Sequence, residues 1–168
     1  MNNKHRSLQE LKTISNKHRE ENQTIGLIVG CFDILHIGHV NLFREAKKHI
    51  DILIIELEND ENIKTLKGEN RPIHTFEHRA EVLSELQSID YIFKVEKSFT
   101  TDSKEAAAYY ENLIKEINPH YLITSTKRDK YNKHKKQSAL ANNIQILEIE
   151  PMSLTSTTEI LSKLLSIG

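Results

Sequence analysis

The sequence predicts a doubly wound α/β domain built on a parallel sheet. Five short apolar runs lie along the chain: IGLIV (25–29), ILII (52–55), YIFKV (91–95), YLIT (121–124) and IQILEI (144–149). Helical patterns separate them, so the order reads β-α-β-α. The runs are nearly continuous in apolar residues, as strands are when helices cover both faces of a sheet. At 168 residues the chain is long enough for one domain with a proper core. No internal repeat and no Gly/Pro/Ser linker divides it.

Taken in order, Ser7 and Glu10 form a capping-box pattern opening a short helix with Leu8, Leu11 and Ile14 on one side. This predicts an N-terminal helical extension over 1–22 ahead of the domain proper at 23–168. The first strand leads directly into GCFDILHIGHVNLF (30–43). Phe76, Ala80, Leu83 and Leu86 mark one later helix. Tyr110, Leu113, Ile114 and Ile117 mark another, closed by Asn118 and Pro119. After the fourth strand comes a basic run, KRDKYNKHKK (127–136), and the chain ends on an apolar-periodic segment with Ile160, Leu161 and Leu164.

Composition narrows the function classes. A formal net charge of -1 argues against a bulk nucleic-acid binder, so charge carries information only locally. The single cysteine, Cys31, has no partner for an internal disulfide and fits a reducing compartment. The N-terminal MNNKHRSLQELK has no apolar signal core, and no run approaches a membrane span. The expected location is the cytoplasm.

Parallel α/β sheets bind ligands outside the carboxyl ends of their strands, where the strand order reverses. The 30–43 stretch begins at such an end. His36 and His39, three residues apart, share one helix face. They fit surface histidines, a metal pair, or donors facing a phosphate. A metal pair lacks a third ligand at suitable spacing. In the phosphate reading, Gly38 removes a side chain from the approach and the helix N-terminus adds oriented N–H groups. That reading explains the glycine together with the histidines.

With these residues in place, GCFDILHIGH resembles the G-x-F-D-x-x-H-x-G-H signature of the cytidylyltransferase-like nucleotidyltransferases, a superfamily with a Rossmann-like fold. Its H-x-G-H element is similar to that of the class I aminoacyl-tRNA synthetases. LKGENRPI (66–73), HRAEVLSELQSIDYI (78–92) and STTEI (156–160) follow in the order and spacing of the adenylyltransferase domain of ADP-heptose synthases. Glycerol-3-phosphate cytidylyltransferases share the first and last motifs and an E-H-R element, here Glu77, His78 and Arg79. The resemblance covers nearly the whole chain.

It implies a nucleotidyltransferase domain at 23–168 in which a phosphate monoester attacks the α-phosphate of a nucleoside triphosphate and pyrophosphate leaves. Catalysis of that kind is mainly positioning and charge stabilisation. The resemblance assigns His36, His39 and Lys47 to the phosphates. It places Gly30, Cys31, Phe32 and Gly38 at the nucleotide, with Asp33 either orienting the loop or binding the nucleotide. Arg79 of the E-H-R element, Asp129, and Ser156, Thr157 and Thr158 complete the nucleotide set, and Lys67 approaches the acceptor phosphate. Magnesium is implied by the triphosphate rather than by a protein ligand motif, and a homodimer is implied by relatives.

The sequence departs from its relatives after the fourth strand. Heptose-type relatives carry K-G-G-D-Y there and this chain reads TSTKRDKY; before the last motif it reads EPMSLTSTTEI, without the arginine of cytidylyltransferases. The expected reaction is transfer of a nucleoside monophosphate, with AMP favoured, to a phosphorylated sugar or polyol. The alternatives are a cytidylyltransferase acting on glycerol 3-phosphate or another alcohol phosphate, and a non-catalytic nucleotide-binding regulator. The basic run is expected to meet phosphate as a cationic flap.

Overall fold

The computed structural model describes residues 4–99, 104–125, 138–150 and 157–166. Five parallel strands form one sheet: β1 (Ile25–Gly30), β2 (Ile52–Leu57), β3 (Tyr91–Lys94), β4 (Tyr121–Ser125) and β5 (Gln145–Ile149). Their order across the sheet is β3-β2-β1-β4-β5. β1 is therefore flanked by β2 on one side and by β4 on the other, with Gly30 opposite Leu57 and Leu27 opposite Leu122. Chain order reverses at β1, so its carboxyl end is the switch point of the sheet.

Helices stand beside the strands: α1 (Leu8–Glu20), α2 (Ile37–Ala46), α3 (Asp60–Lys67), α4 (Phe76–Ser84), α5 (Lys104–Ile117) and α6 (Thr157–Leu165), with a further helical turn over 138–141 before β5. The two faces of the sheet carry different helices. Phe43 and Ala46 of α2 and Phe76 and Leu83 of α4 pack on Leu53, Ile55 and Leu57. Leu11 of α1 and Leu113, Ile114 and Ile117 of α5 pack on Ile25, Leu27, Ile52 and Ile54. Alternate residues of each strand feed opposite faces, which is why the strands read as unbroken apolar runs.

Strand expectations match to within two residues at each end. The helix at 76 ends at Ser84, so Leu86 packs on the core from beyond it. Asn118 adopts a left-handed φ of 48° immediately after α5, the conformation in which helices commonly terminate. The capping box at Ser7 forms, its hydroxyl accepting from the Glu10 N–H while the Glu10 carboxylate accepts from the Ser7 N–H at 2.8 Å. Helix α3 is an element that hydrophobic periodicity did not predict. Its signal was polar: Asn59 caps it and Asp60 and Glu61 fill its first turn.

The N-terminal segment is built into the domain. Leu11 is completely buried, and residues 4–6 bond along the outer edge of β3 through Ile92 N–H to the Lys4 carbonyl and Arg6 N–H to the Ile92 carbonyl, both at 2.9 Å. Leu11→Ala is therefore expected to lower unfolding free energy by about 2–5 kcal/mol in urea titrations. Exposed Lys12→Ala is the control, expected within about 0.5 kcal/mol of the parent. Equal midpoints for the two variants would show that α1 does not contribute to the core.

Candidate active site

The site grows from the carboxyl end of β1. The chain leaves Gly30 and places Phe32 at a left-handed φ of 46°, a conformation that a bulky residue adopts only when its surroundings impose it. The turn folds the Phe32 ring back over the strand end, so that a Cβ on Gly30 would lie 2.8 Å from that ring. Glycine at 30 is thus a packing requirement. The ring then stands edge-on to His39 at 5.1 Å and packs on Phe43 at 5.2 Å.

His36 is the N-cap of α2. Its Nδ1 accepts from the Gly38 N–H at 3.2 Å, which leaves the proton of the neutral ring on Nε2. The His36 and His39 rings stack at 3.7 Å, 23° from parallel. His39 is therefore held between His36 and Phe32. Burial first, then the neighbouring His36 and Lys67 charges, push its pKa from 6.5 down to about 3. It is neutral at neutral pH. Its Nδ1 is buried with no hydrogen-bond partner among the described residues. The neutral His39 ring at a helix N-terminus can donate to an anion without the cost of burying a second cation.

Other expected residues converge on this point. Thr157, the first residue of α6, donates its hydroxyl to the Ile34 carbonyl at 3.4 Å and so brings that helix start against the loop entering α2. Lys67 ends α3, and its charge acts on both His39 and Cys31. The Cys31 thiol is held protonated by burial, which raises its pKa. Asp33 is buried and accepts from the Ile73 and His74 N–H groups at 2.8 and 3.0 Å and from Arg71 Nε at 2.6 Å. Burial favours its neutral form, and the His74, Ile73 and Arg71 donors outweigh this and lower its pKa. Of the two roles expected for Asp33, its contacts show loop orientation.

Two residues take up different positions from those expected. Lys47 caps the far end of α2, a ten-residue helix and so about 15 Å long. There its ammonium donates to the Asp51 carbonyl and to Asp90 at 2.9 Å, beside the first residues of β2 and β3. That is the amino edge of the sheet, so the expectation that Lys47 reaches the phosphates is corrected by the length of the helix. Arg79 has no exposed side-chain surface. Its guanidinium donates to the carbonyls of Cys31 at 2.6 Å, Glu58 at 2.7 Å and His74 at 3.1 Å, and to Asp60 Oδ1 at 2.6 Å. It organises the loops instead of facing a ligand. Asp129, Ser156, the side chain of Thr158 and the basic run 127–136 lie outside the described residues.

Sequence reasoning missed Arg71, Glu58, Asn59 and Asn62. Asn59 Nδ2 donates to the Val95 and Lys97 carbonyls, and Asn62 bonds Glu58, the Lys97 carbonyl and the Phe99 N–H. Together they fasten the segment after β3 to the start of α3. The Asn-Asp-Glu helix start was the one legible signal. Among the described residues no three His, Cys, Asp or Glu side chains group to hold a metal ion, and no helix is long and apolar enough to cross a membrane.

With this geometry established, comparison with known proteins is informative. The pattern defining the cytidylyltransferase-like family matches residues 27–163. The chain is 38% identical over 118 residues to the bifunctional protein HldE of Aliarcobacter butzleri, covering 70% of this chain and 23% of that protein. It is 33% identical over 157 residues to HldE of Haemophilus influenzae, covering 92% of this chain and 30% of that one. The chain thus spans between a fifth and a third of the length of these relatives. The fold is shared with a pantoate-beta-alanine ligase from Francisella tularensis, at a TM-score of 0.60 and 19% identity, covering 95% of this chain and 76% of the other.

The state of His39 has a pH signature. The unfolded chain binds this proton near pH 6.5 and the folded protein only near 3. Stability is therefore expected to be full above pH 6.5 and to fall as pH drops through that window, by up to about 1.4 kcal/mol per unit from this group. Denaturant titrations of the parent and His39→Asn between pH 7.5 and 4.5 isolate the effect. Parallel curves for the two would show that His39 is not held neutral.

Proposed function

The chain belongs to the cytidylyltransferase-like family and is a nucleotidyltransferase, and from that premise we propose that it transfers AMP from ATP to a phosphorylated sugar or polyol. The observation that carries the reading is the stacked His36–His39 pair at the α2 N-terminus, with His39 held neutral, at the switch point of the sheet. The motif order shared with the adenylyltransferase domain of ADP-heptose synthases supports ATP over CTP. The similarity to HldE proteins supports a phosphorylated sugar as acceptor.

In the proposed reaction an oxygen of the acceptor phosphate forms a bond to the α-phosphorus of the triphosphate. The bond from that phosphorus to the bridging oxygen breaks and pyrophosphate departs with the electron pair. No covalent enzyme intermediate is required. Charge grows on the non-bridging α-oxygens and the leaving group. His36 Nε2–H, the His39 ring and the open N–H groups of α2 are the donors suited to that charge. Thr157 and the start of α6 hold the triphosphate from the other side of the loop, and Lys67 faces the acceptor phosphate. Magnesium arrives with the triphosphate as part of the substrate.

A panel of ATP, CTP, GTP and UTP with sugar and polyol phosphates, read by pyrophosphate release, tests the assignment. Release with ATP and a sugar phosphate is expected; preferential use of CTP with an alcohol phosphate would replace it. His36→Ala and His39→Ala are each expected to lower kcat about 100- to 1000-fold with smaller effects on triphosphate affinity. Unchanged kcat at saturation would remove both histidines from the chemistry. Thr157→Ala is expected to weaken triphosphate binding by calorimetry, and unchanged affinity would reduce Thr157 to a helix-start residue.

A further inference from the structure

Residues 68–75 connect α3 to α4 and pass beside the β1 carboxyl end, yet none of them is buried. Ile73, the one large aliphatic side chain among them, is 49% exposed. A connection without a hydrophobic anchor needs another means of being held. Its first residue, Gly68, turns the chain at a φ of 100°, with its N–H on the Lys64 carbonyl at 2.8 Å and its carbonyl accepting from the Arg71 N–H at 3.0 Å. At its far end the His74 carbonyl accepts from Arg79.

Between those ends everything converges on one carboxylate. Asp33, whose side chain is 1% exposed, accepts from Arg71 Nε on Oδ2 at 2.6 Å, with Arg71 Nη2 an ion-pair contact at 2.6 Å from the same oxygen, and accepts from the Ile73 and His74 N–H groups on Oδ1. Asp33 is three residues before His36 in the loop that enters α2. Lys67 directly precedes Gly68 and acts electrostatically on His39. The strap that follows Lys67 is thus pinned to the histidine loop through Arg71, Ile73 and His74.

We infer that Arg71 and Asp33 form a latch that fixes the 68–75 strap over the His36–His39 site, making Arg71 a positioning residue for nucleotidyl transfer and Asp33 its buried anchor. The rigid, planar guanidinium sets Nε as a donor to Oδ2 with Nη2 held against the same oxygen, an arrangement that a lysine ammonium cannot reproduce. Three hydrogen bonds and an ion pair to one buried carboxylate stand in for the apolar anchor that the strap lacks. Neither residue needs to touch the nucleotide. Their effect passes through Lys67 and the strap backbone to the acceptor side. The kinetic half of this inference rests on the transferase reading above, and the mechanical half does not.

The test pairs hydrogen exchange with kinetics in Asp33→Asn, Arg71→Gln and Arg71→Lys. Exchange at the Ile73 and His74 amides, read by NMR without any substrate, is expected to accelerate about 10-fold or more in the first two variants. In the same variants kcat is expected to fall and the acceptor KM to rise, together costing about 10- to 100-fold in kcat/KM. Triphosphate Kd is expected to stay within about twofold, and Arg71→Lys to fall between parent and Arg71→Gln. Unchanged amide exchange would overturn the latch. So would faster exchange with unchanged kcat and acceptor KM, since the strap would then be structural only. A large loss of triphosphate affinity in Asp33→Asn with intact exchange would overturn it in favour of direct nucleotide contact. Should Asp33→Asn fail to fold, Arg71→Gln decides, because it leaves the backbone donors to Asp33 in place. If the parent releases no pyrophosphate with any substrate pair, the transferase reading falls, and the exchange result by itself upholds or overturns the latch.

Discussion

A guanidinium with no exposed surface lies beneath the loops at the carboxyl edge of the sheet, and the arrangement of those loops depends on it. Arg79 joins the chain just after β1 through Cys31, the chain just after β2 through Glu58, the first residue of α3 through Asp60, and the strap through His74. Removing such a cation from water is costly, and the cost is offset only when most of its donors find acceptors in good geometry. Arginine suits the task because it stays charged and presents five donors in a rigid fork. The Phe76 ring, 5.8 Å from the guanidinium carbon, closes the position.

Once these segments are tied, the properties of the histidines follow from packing. Phe32 accepts an unfavourable backbone conformation, and its ring becomes a wall for His39. His36 uses Nδ1 to cap α2, and His39 stacks against it away from water. A protonated His39 would sit beside Lys67 in a partly dry site, which is why the neutral ring prevails. The same packing that positions the pair thus sets the protonation state of His39. In the proposed reaction, an anion arriving at the helix terminus would meet donors that are already oriented, so little reorganisation would be needed as charge develops.

The two edges of the sheet divide the work. At the amino edge Asp90 accepts from Lys47 and from the Leu53 N–H at 2.7 Å, closing β2, β3 and the end of α2 against one another. At the carboxyl edge Glu58 gathers Asn62 and Tyr110, the latter at 2.5 Å, and Asn59 caps α3 while holding the segment after β3. Polar groups buried there are fastened to one another, so the edge can stay irregular in backbone yet fixed in shape.

Much of this was legible in the chain. The apolar runs at 25, 52, 91, 121 and 144 and the stripe from Tyr110 to Ile117 reported strand and helix order, because periodicity records which faces a segment must bury. The string from Gly30 to His39 reported the helix start with its paired histidines, because a glycine turn, an N-cap and a ring stack must all fall within a few residues. The sequence could not say which charged partner each ion would find. Lys47 pairs with Asp90, Arg71 with Asp33 and Arg79 with Asp60, across 43, 38 and 19 residues, and no local pattern encodes such distances. By itself, then, the sequence determined the layered α/β architecture and the histidine motif, which follow from short-range hydrophobic and helix-terminal requirements. Tertiary structure alone decided that Lys47 faces the opposite edge, that Arg79 is interior, that Asp33 holds a strap and that His39 is neutral. Each of these depends on the desolvation and ion pairing that arise only when distant segments meet.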